Sequence, residues 1–390
     1  MAIESLTSPR FLFVSTYPPT RCGIATFTES LIGALGRLRG GATDNGVIRM
    51  VTEWDDSISL EPEIVAETNV TTPDWALPLE TWCTGFDLLW IQHEFGIFGP
   101  DDGGSVLDLC RRTPVPVATT LHTVMVSPSD RQRTIIERLG DASEVVVVMS
   151  KQAQRRLIEK YDIDGEKVQV VPHGSQFSPR RRHGEHRRSP PTIVNWGLIG
   201  PGKGLETAIR ALALLQHLGS PPRLVIRGAT HPNVKRREGE AYRNGLVDLI
   251  GELGLQGSVE MSDEYMTPTE LESLIHSADM ALIPYDTTEQ VTSGVLVDAI
   301  GAGLPVVATA FPHSLELLSS GAGRVVPQQD PKAMAAAIEA LLTDLSAMAD
   351  AGDEAMRVGR DFAWPRVAFK YERLGRQVVT RDGKPVSFAS

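Results

Sequence analysis

The chain has little cysteine, no excess of positive charge and no long apolar run, and each shortage argues against a class of protein. Three cysteines, Cys22, Cys83 and Cys110, show no metal-binding spacing and cannot pair completely, which points to a reducing compartment and hence to the cytoplasm. No stretch approaches the ~20 apolar residues of a membrane-crossing helix, so contact with a membrane is expected to be peripheral at most. The polar opening MAIESLTSPR reads as no signal peptide. Basic residues number 38 against 49 acidic ones, a net charge of −11, which argues against nucleic acid as a partner, since that needs a basic face. The G-x-G-x-x-G fingerprint is missing from the first strand-turn, which disfavours a nicotinamide enzyme. What remains, at 42% hydrophobic and 22% charged residues, is the composition of an ordinary globular enzyme.

A chain of 390 residues is too long for one ordinary core, and two domains of similar size are expected. Apolar runs predict strands at 11–15, 87–92, 115–121, 144–150 and 168–172 in the first half. In the second half they fall at 192–197, 223–228, 259–262, 280–285 and 305–309. Most are continuous instead of alternating, as strands covered on both faces are. Helical patterns separate many of them, at 24–38, 152–161, 205–215, 269–277 and 331–343. Alternating β and α elements predict parallel sheets with right-handed crossovers. Between the halves, 178–191 (SPRRRHGEHRRSPP) is basic, poor in apolar residues and bounded by prolines, and reads as a linker. The expected fold class is α/β: two doubly wound Rossmann-like domains, 1–177 and 192–360, facing each other across a cleft.

In such sheets ligands sit beyond the carboxyl ends of the strands. At those ends the first half carries Gly23, closing the loop after the first strand, then His93-Glu94, His122 and His173. One histidine there would be incidental, but three at strand ends of one domain form a constellation. In the second half the segment Gln290 to Gly303, QVTSGVLVDAIGAG, lies between two buried-strand patterns. Its helix begins at Ser293-Gly294, where unpaired N–H groups and the helix dipole attract a phosphate. Asp298 follows about one turn later on the same face, within reach of a ribose hydroxyl. A plain N-cap with a surface aspartate fits the segment equally well.

The stretch GLIGPGKG, 197–204, begins like a P-loop, but Gly204 stands where Ser or Thr would ligate magnesium. A kinase or ATPase is therefore disfavoured. Lys203 remains as a cation near a helix start, suited to a diphosphate, with a solvent lysine in a turn as the plain alternative. Asp162-Ile163-Asp164 is the only D-x-D, and beside Gly165 a turn explains it better than a metal site.

With these residues in view, the chain resembles a retaining glycosyltransferase of the GT-B fold, in family 4, the glycosyl transferases group 1. The resemblance covers nearly the whole chain. It rests on STYPPTRCGIATFTESL near the start, TLH at 120–122, MSKQAQRRL at 149–157, VVPHG at 170–174, GPGKGLETAIRAL at 200–212 and SGVLVDAIGAGLPVVAT at 293–309, the last being the most specific. Such enzymes carry a sugar from a nucleotide diphosphate to a hydroxyl and keep the anomeric configuration. The donor binds mainly to the second domain and the acceptor mainly to the first.

The resemblance implies roles. Gly23 would let the backbone approach the donor phosphates, and His122 would touch the donor sugar as a positioning residue. Gly200 and Lys203 would hold the diphosphate, together with the backbone of Ser293, Gly294, Val295 and Leu296. Asp298 would hold the ribose, His173 and Arg227 would stand on the donor side, and His93 and Glu94 on the acceptor side. A helix at about 361–390 would cross back to the first domain. The donor would be a UDP- or GDP-hexose, with mannose or glucose favoured, and the acceptor a sugar, glycan or glycolipid. No cofactor and no metal are expected.

The chain departs from the family pattern at three places. Two glutamates eight positions apart become Gln290, an amide at the position counted with His122 and Lys203 as catalytic, and Asp298, a shortened acid. The arginine five residues before the lysine becomes Leu198, with Arg227 or Arg243 as candidates to supply the missing charge. The asparagine after the proline of VVPHG becomes His173. Two other readings use the same scaffold: a catalytically silent nucleotide-sugar-binding partner, suggested by Gln290 and Leu198, and a GT-B phosphorylase or epimerase.

Overall fold

The computed structural model describes residues 8–41, 44–52, 61–175, 189–264 and 266–381. Residues 178–188 of the expected linker, with 176–177 before them, and the last residues of the expected C-terminal helix, 382–390, lie outside the described residues.

Strands β1 (Phe11–Ser15), β2 (Gly46–Val51), β3 (Ile64–Asn69), β4 (Leu88–His93), β5 (Val117–Leu121), β6 (Val145–Val148) and β7 (Val168–Val170) form one sheet, ordered β3-β2-β1-β4-β5-β6-β7. Strands β8 (Thr192–Trp196), β9 (Arg223–Arg227), β10 (Val259–Ser262), β11 (Met280–Ile283), β12 (Val306–Thr309) and β13 (Gly323–Val326) form a second, ordered β10-β9-β8-β11-β12-β13. Every pairing in both sheets is parallel.

The continuous apolar runs have a simple cause. Successive strand residues point to opposite faces. In the second sheet Ile193, Leu224, Met280 and Leu282 enter one core, while their neighbours Val194, Val225, Ala281 and Ile283 enter another. Helices cover both faces, so the buried positions of these strands are mostly apolar.

Three strands have no such run. In β2 the interruption is Arg49, which is buried and paired with Glu67 of β3. In β13 it is Arg324. The ion pair to the edge strand β3 lets Arg49 lie inside β2, because each ion compensates the other.

The described residues divide into two compact units, bounded as Met1–Gly174 with Trp364–Ser390 and as Ser175–Ala363. The helix Trp364–Arg381 thus completes the unit formed by the first sheet. Its Tyr371 is fully buried, with its ring 4.8 Å from that of Trp90 and its Oη 3.2 Å from Thr120 Oγ1. Its Glu372 accepts from Arg39 at 2.5 Å and from Arg376 at 2.9 Å, joining it to the helix Gly23–Leu38.

In each sheet the strand order reverses once, between β1 and β4 and between β8 and β11. Neighbouring strands there send their connections to opposite sides, which leaves a crevice beyond their carboxyl ends.

Candidate active site

At the reversal point of the second sheet, β8 leads into the loop 197–204 and β11 into the segment 284–293. Three contacts join them. Asp286 N–H donates to the Gly202 carbonyl at 2.9 Å. Gly204 has φ +66, and a Cβ there would lie 1.8 Å from the Pro284 carbonyl oxygen. The position that would be Ser or Thr in a P-loop is therefore closed to any side chain, by backbone conformation and by contact. Third, Lys203 Nζ sits 4.3 Å from the centre of the Tyr285 ring. An aromatic face holds an ammonium without neutralising it, so the charge remains for an anion.

The helix Gly294–Gly301 begins beside this junction: a Cβ on Gly197 would lie 3.4 Å from Val295 Cγ2. Ser293 is its N-cap, and Ser293 Oγ accepts from Leu296 N–H at 3.2 Å. Ser293 N–H donates to Nδ1 of His313 at 2.9 Å. Of the four N–H groups singled out in the sequence, those of Ser293 and Leu296 thus have partners inside the protein. Among the described residues, Gly294 and Val295 are left as the open donors of the first turn. The carboxyl of Asp298 is pushed up to about 7 by burial, while the Ser175 hydroxyl, beside it but outside strict hydrogen-bond geometry, acts in the opposite sense. Gln290 Nε2 donates to the Thr292 carbonyl and braces the loop ahead of the helix.

The two arginines considered as substitutes for the missing family arginine are engaged elsewhere. Arg227 pairs with Glu260 of β10. Arg243 donates to the Gly228 carbonyl and lies 3.6 Å from Glu240. Gly200 packs where a Cβ would stand 3.2 Å from Val234 Cγ2.

The first unit brings its histidines together. His122 Nε2 lies 2.8 Å from Gln92 Oε1, and the rings of His122 and His173 each sit 5.0 Å from Phe27. With Gln92 accepting, His122 carries its proton on Nε2 and leaves Nδ1 as an acceptor. Burial drives His122 down to about 3, helped by His173 and His93, and burial takes His173 down to about 4. His93 has no exposed surface. It stacks on Phe98 at 6.0 Å, neither ring nitrogen has a partner among the described residues, and burial lowers it to about 3. Glu94, at the end of β4, accepts from Thr123 Oγ1 at 2.5 Å and Phe95 N–H at 2.9 Å, and burial raises its carboxyl above the usual range. Around Gly23, at the start of Gly23–Leu38, a Cβ would meet nothing within 4 Å. The D-x-D aspartate Asp164 accepts from Glu166 N–H at 2.9 Å, capping a short turn.

His313 and Tyr285 were not singled out in the sequence. Tyr285 reads there as the end of a strand and His313 as an isolated residue after β12, so no local signal points to either.

Two doubly wound parallel sheets, each with a crevice at its reversal point, make the architecture of the GT-B glycosyltransferases. Sucrose-phosphate synthase from Thermosynechococcus elongatus has the same fold, with a TM-score of 0.76 over 96% of this chain and 100% of that one at 18% identity. HepE of Anabaena, solved in complex with UDP, gives 0.72 over 94% of this chain and 100% of that one at 16% identity. Residues 178–358 match the family described as Glycosyl transferases group 1, and residues 70–175 match Glycosyltransferase Family 4. A D-inositol 3-phosphate glycosyltransferase of Corynebacterium glutamicum (strain R) is 23% identical over 291 residues, 69% of this chain and 68% of that protein. The chain belongs to the group 1 glycosyltransferases, and it is a glycosyltransferase enzyme. Among the described residues no helix is long and apolar enough to cross a membrane.

Proposed function

We propose that this enzyme transfers a hexose from a nucleoside diphosphate sugar to an acceptor hydroxyl, with retention of configuration and without a divalent metal. The observation that carries the reading is the junction of Lys203, held over Tyr285, with the start of the helix Gly294–Gly301. A full positive charge and the positive end of a helix dipole meet there at one reversal point.

In the proposed reaction the bond from the anomeric carbon to the diphosphate breaks, and negative charge collects on the leaving oxygens. Lys203 and the N–H groups of Gly294 and Val295 stabilise that charge, which is what a divalent ion would otherwise do. The acceptor hydroxyl attacks the same face and passes its proton to the departing phosphate. No strong base is needed. This fits His122, which burial keeps neutral and whose free Nδ1 suits a sugar hydroxyl. Asp298 is assigned to the ribose, Gly23, Gly200 and His173 to donor recognition, and Glu94 and His93 to the acceptor side.

The UDP complex of HepE supports a UDP-hexose as the first donor to test, with GDP-hexoses next and glucose or mannose as the sugar. Relatives named for D-inositol 3-phosphate support a polyol or sugar hydroxyl as acceptor. The test is calorimetric titration with UDP, GDP and ADP, in EDTA and then in magnesium. One nucleotide should bind equally in both conditions and far more weakly to Lys203→Ala. Binding of none, or binding only with magnesium, overturns the reading. Turnover with the matching donor then separates a transferase from a silent nucleotide-sugar-binding partner, and the anomeric configuration of the product tests retention.

A further inference from the structure

The second unit contains an open cavity of about 560 Å³. Leu198 and Lys203 line it from the loop after β8, and His231, Asn233, Arg236 and Arg237 line it from the turn and helix after β9. That volume lies within the ~300–1,000 Å³ of small-molecule sites and exceeds what a lone phosphate ion needs.

The two walls are fixed to each other. Ile199 N–H donates to the Ala229 carbonyl at 2.9 Å, and His231 N–H returns to the Ile199 carbonyl at 2.8 Å. Gly200, lacking a side chain, lets the Pro232–Glu238 helix close on the loop through Val234.

The charge of the lining is one-sided. Lys203, Arg236 and Arg237 line the cavity, and among the described residues no carboxylate does. Arg236 Nη1 donates to Asn233 Oδ1 at 3.2 Å and has no carboxylate partner among the described residues. Arg237 has only Glu238 at 3.7 Å, an exposed contact of little strength. Lys235, on the same helix, is paired with Glu240 at 3.0 Å and does not line the cavity. His231 Nδ1 accepts from Asn233 N–H at 3.1 Å, which leaves Nε2–H as a neutral donor. Burial holds the ring below its ordinary value, with Lys203 and Arg237 adding to the effect.

We propose that Arg236 and Arg237 bind the second phosphate of the donor's diphosphate, supplying from the far wall of the cavity the cationic charge that Leu198 does not supply from the near wall. Guanidinium groups suit the task because each can grip two phosphate oxygens at once. Arg227 and Arg243 are committed to Glu260 and to the Gly228 carbonyl, so the charge comes from residues that no strand-end pattern marks. The inference rests on the donor reading above and deepens it.

The test is calorimetric titration of the full chain and of the Arg236→Ala/Arg237→Ala variant, in EDTA, with UDP, GDP and ADP and the matching monophosphates. The variant should lose about tenfold or more in affinity for the preferred diphosphate, as loss of charge-assisted hydrogen bonds implies. Affinity for the matching monophosphate should change by less than about twofold, because the loss is confined to the second phosphate. Both side chains are exposed, so the unfolding temperature should not move. Unchanged diphosphate affinity in the variant, or an equal loss for both nucleotides, overturns this inference and leaves the donor reading standing. Wild-type protein that binds none of the six overturns the donor reading and this inference with it.

Discussion

The backbone N–H of Ser293 donates to Nδ1 of His313 at 2.9 Å. The two residues are 20 positions apart, on opposite sides of β12, and both are buried. His313 therefore holds the N-cap of the helix assigned to the donor phosphates, and it fixes which backbone donors that helix has left.

His313→Phe should leave the Ser293 N–H buried and unpaired, at a cost of about 1–3 kcal/mol in stability. Nucleotide affinity should fall in the same variant, because the helix start loses its anchor. His313→Asn, which keeps an acceptor, should recover part of both. Urea denaturation and calorimetric titration read the two effects, and wild-type values for His313→Phe in both would refute the anchoring role.

Lys203→Met should lower turnover by about 10²–10³, the scale of losing one charged contact to a developing oxyanion. Its stability should drop by no more than the ~0.5–2 kcal/mol of the contact with Tyr285. Steady-state kinetics beside thermal unfolding checks the split. A variant with normal turnover removes Lys203 from the proposed mechanism.

Asp298 gives nucleotide binding a pH dependence. Burial raises its carboxyl from an ordinary 3.8 to about 7, so it is largely protonated at pH 6 and largely ionised at pH 8. Ribose hydroxyls donate better to the ionised form, so affinity should rise between those values and then level off. Asp298→Asn should flatten the profile. The same raised value makes stability fall as pH rises from about 4 to about 7, because the folded state binds more protons than the unfolded chain there.

His93, His122 and His173 act in the opposite direction. Their folded values of about 3, 3 and 4 lie below the ordinary 6.5, so the unfolded chain binds more protons in between. The stability they contribute is complete above pH 6.5 and is lost as pH falls towards 4. The loss grows across that window as the unfolded chain takes up protons that the buried rings do not. With three such groups against one Asp298, the urea midpoint should drop between pH 7 and pH 5. His93→Leu, which removes a ring packed between Phe95 and Phe98, should narrow that drop. An equal drop in wild type and variant would show that His93 does not contribute.

Much of the fold is legible in the chain because parallel strands covered on both faces are mostly apolar. The runs at 11–15 and 259–262 coincide with β1 and β10, and the helix at 331–343 matches in full. Strands β2, β3 and β13 are not legible. Arg49, Glu67 and Arg324 interrupt their patterns: Arg324 stays exposed, and the pairing of Arg49 with Glu67 across two strands is what lets Arg49 lie inside.

The same division runs through the site. Local sequence determined the strand ends, the Ser293 cap and the glycines of the 197–204 loop, because caps and tight turns depend on a few adjacent residues. The tertiary structure alone decided where the strand order reverses, that Lys203 rests on Tyr285, that His313 takes the Ser293 N–H, and which arginines line the cavity. Those relationships join residues tens of positions apart. Their energies depend on distance and burial, which no local pattern carries.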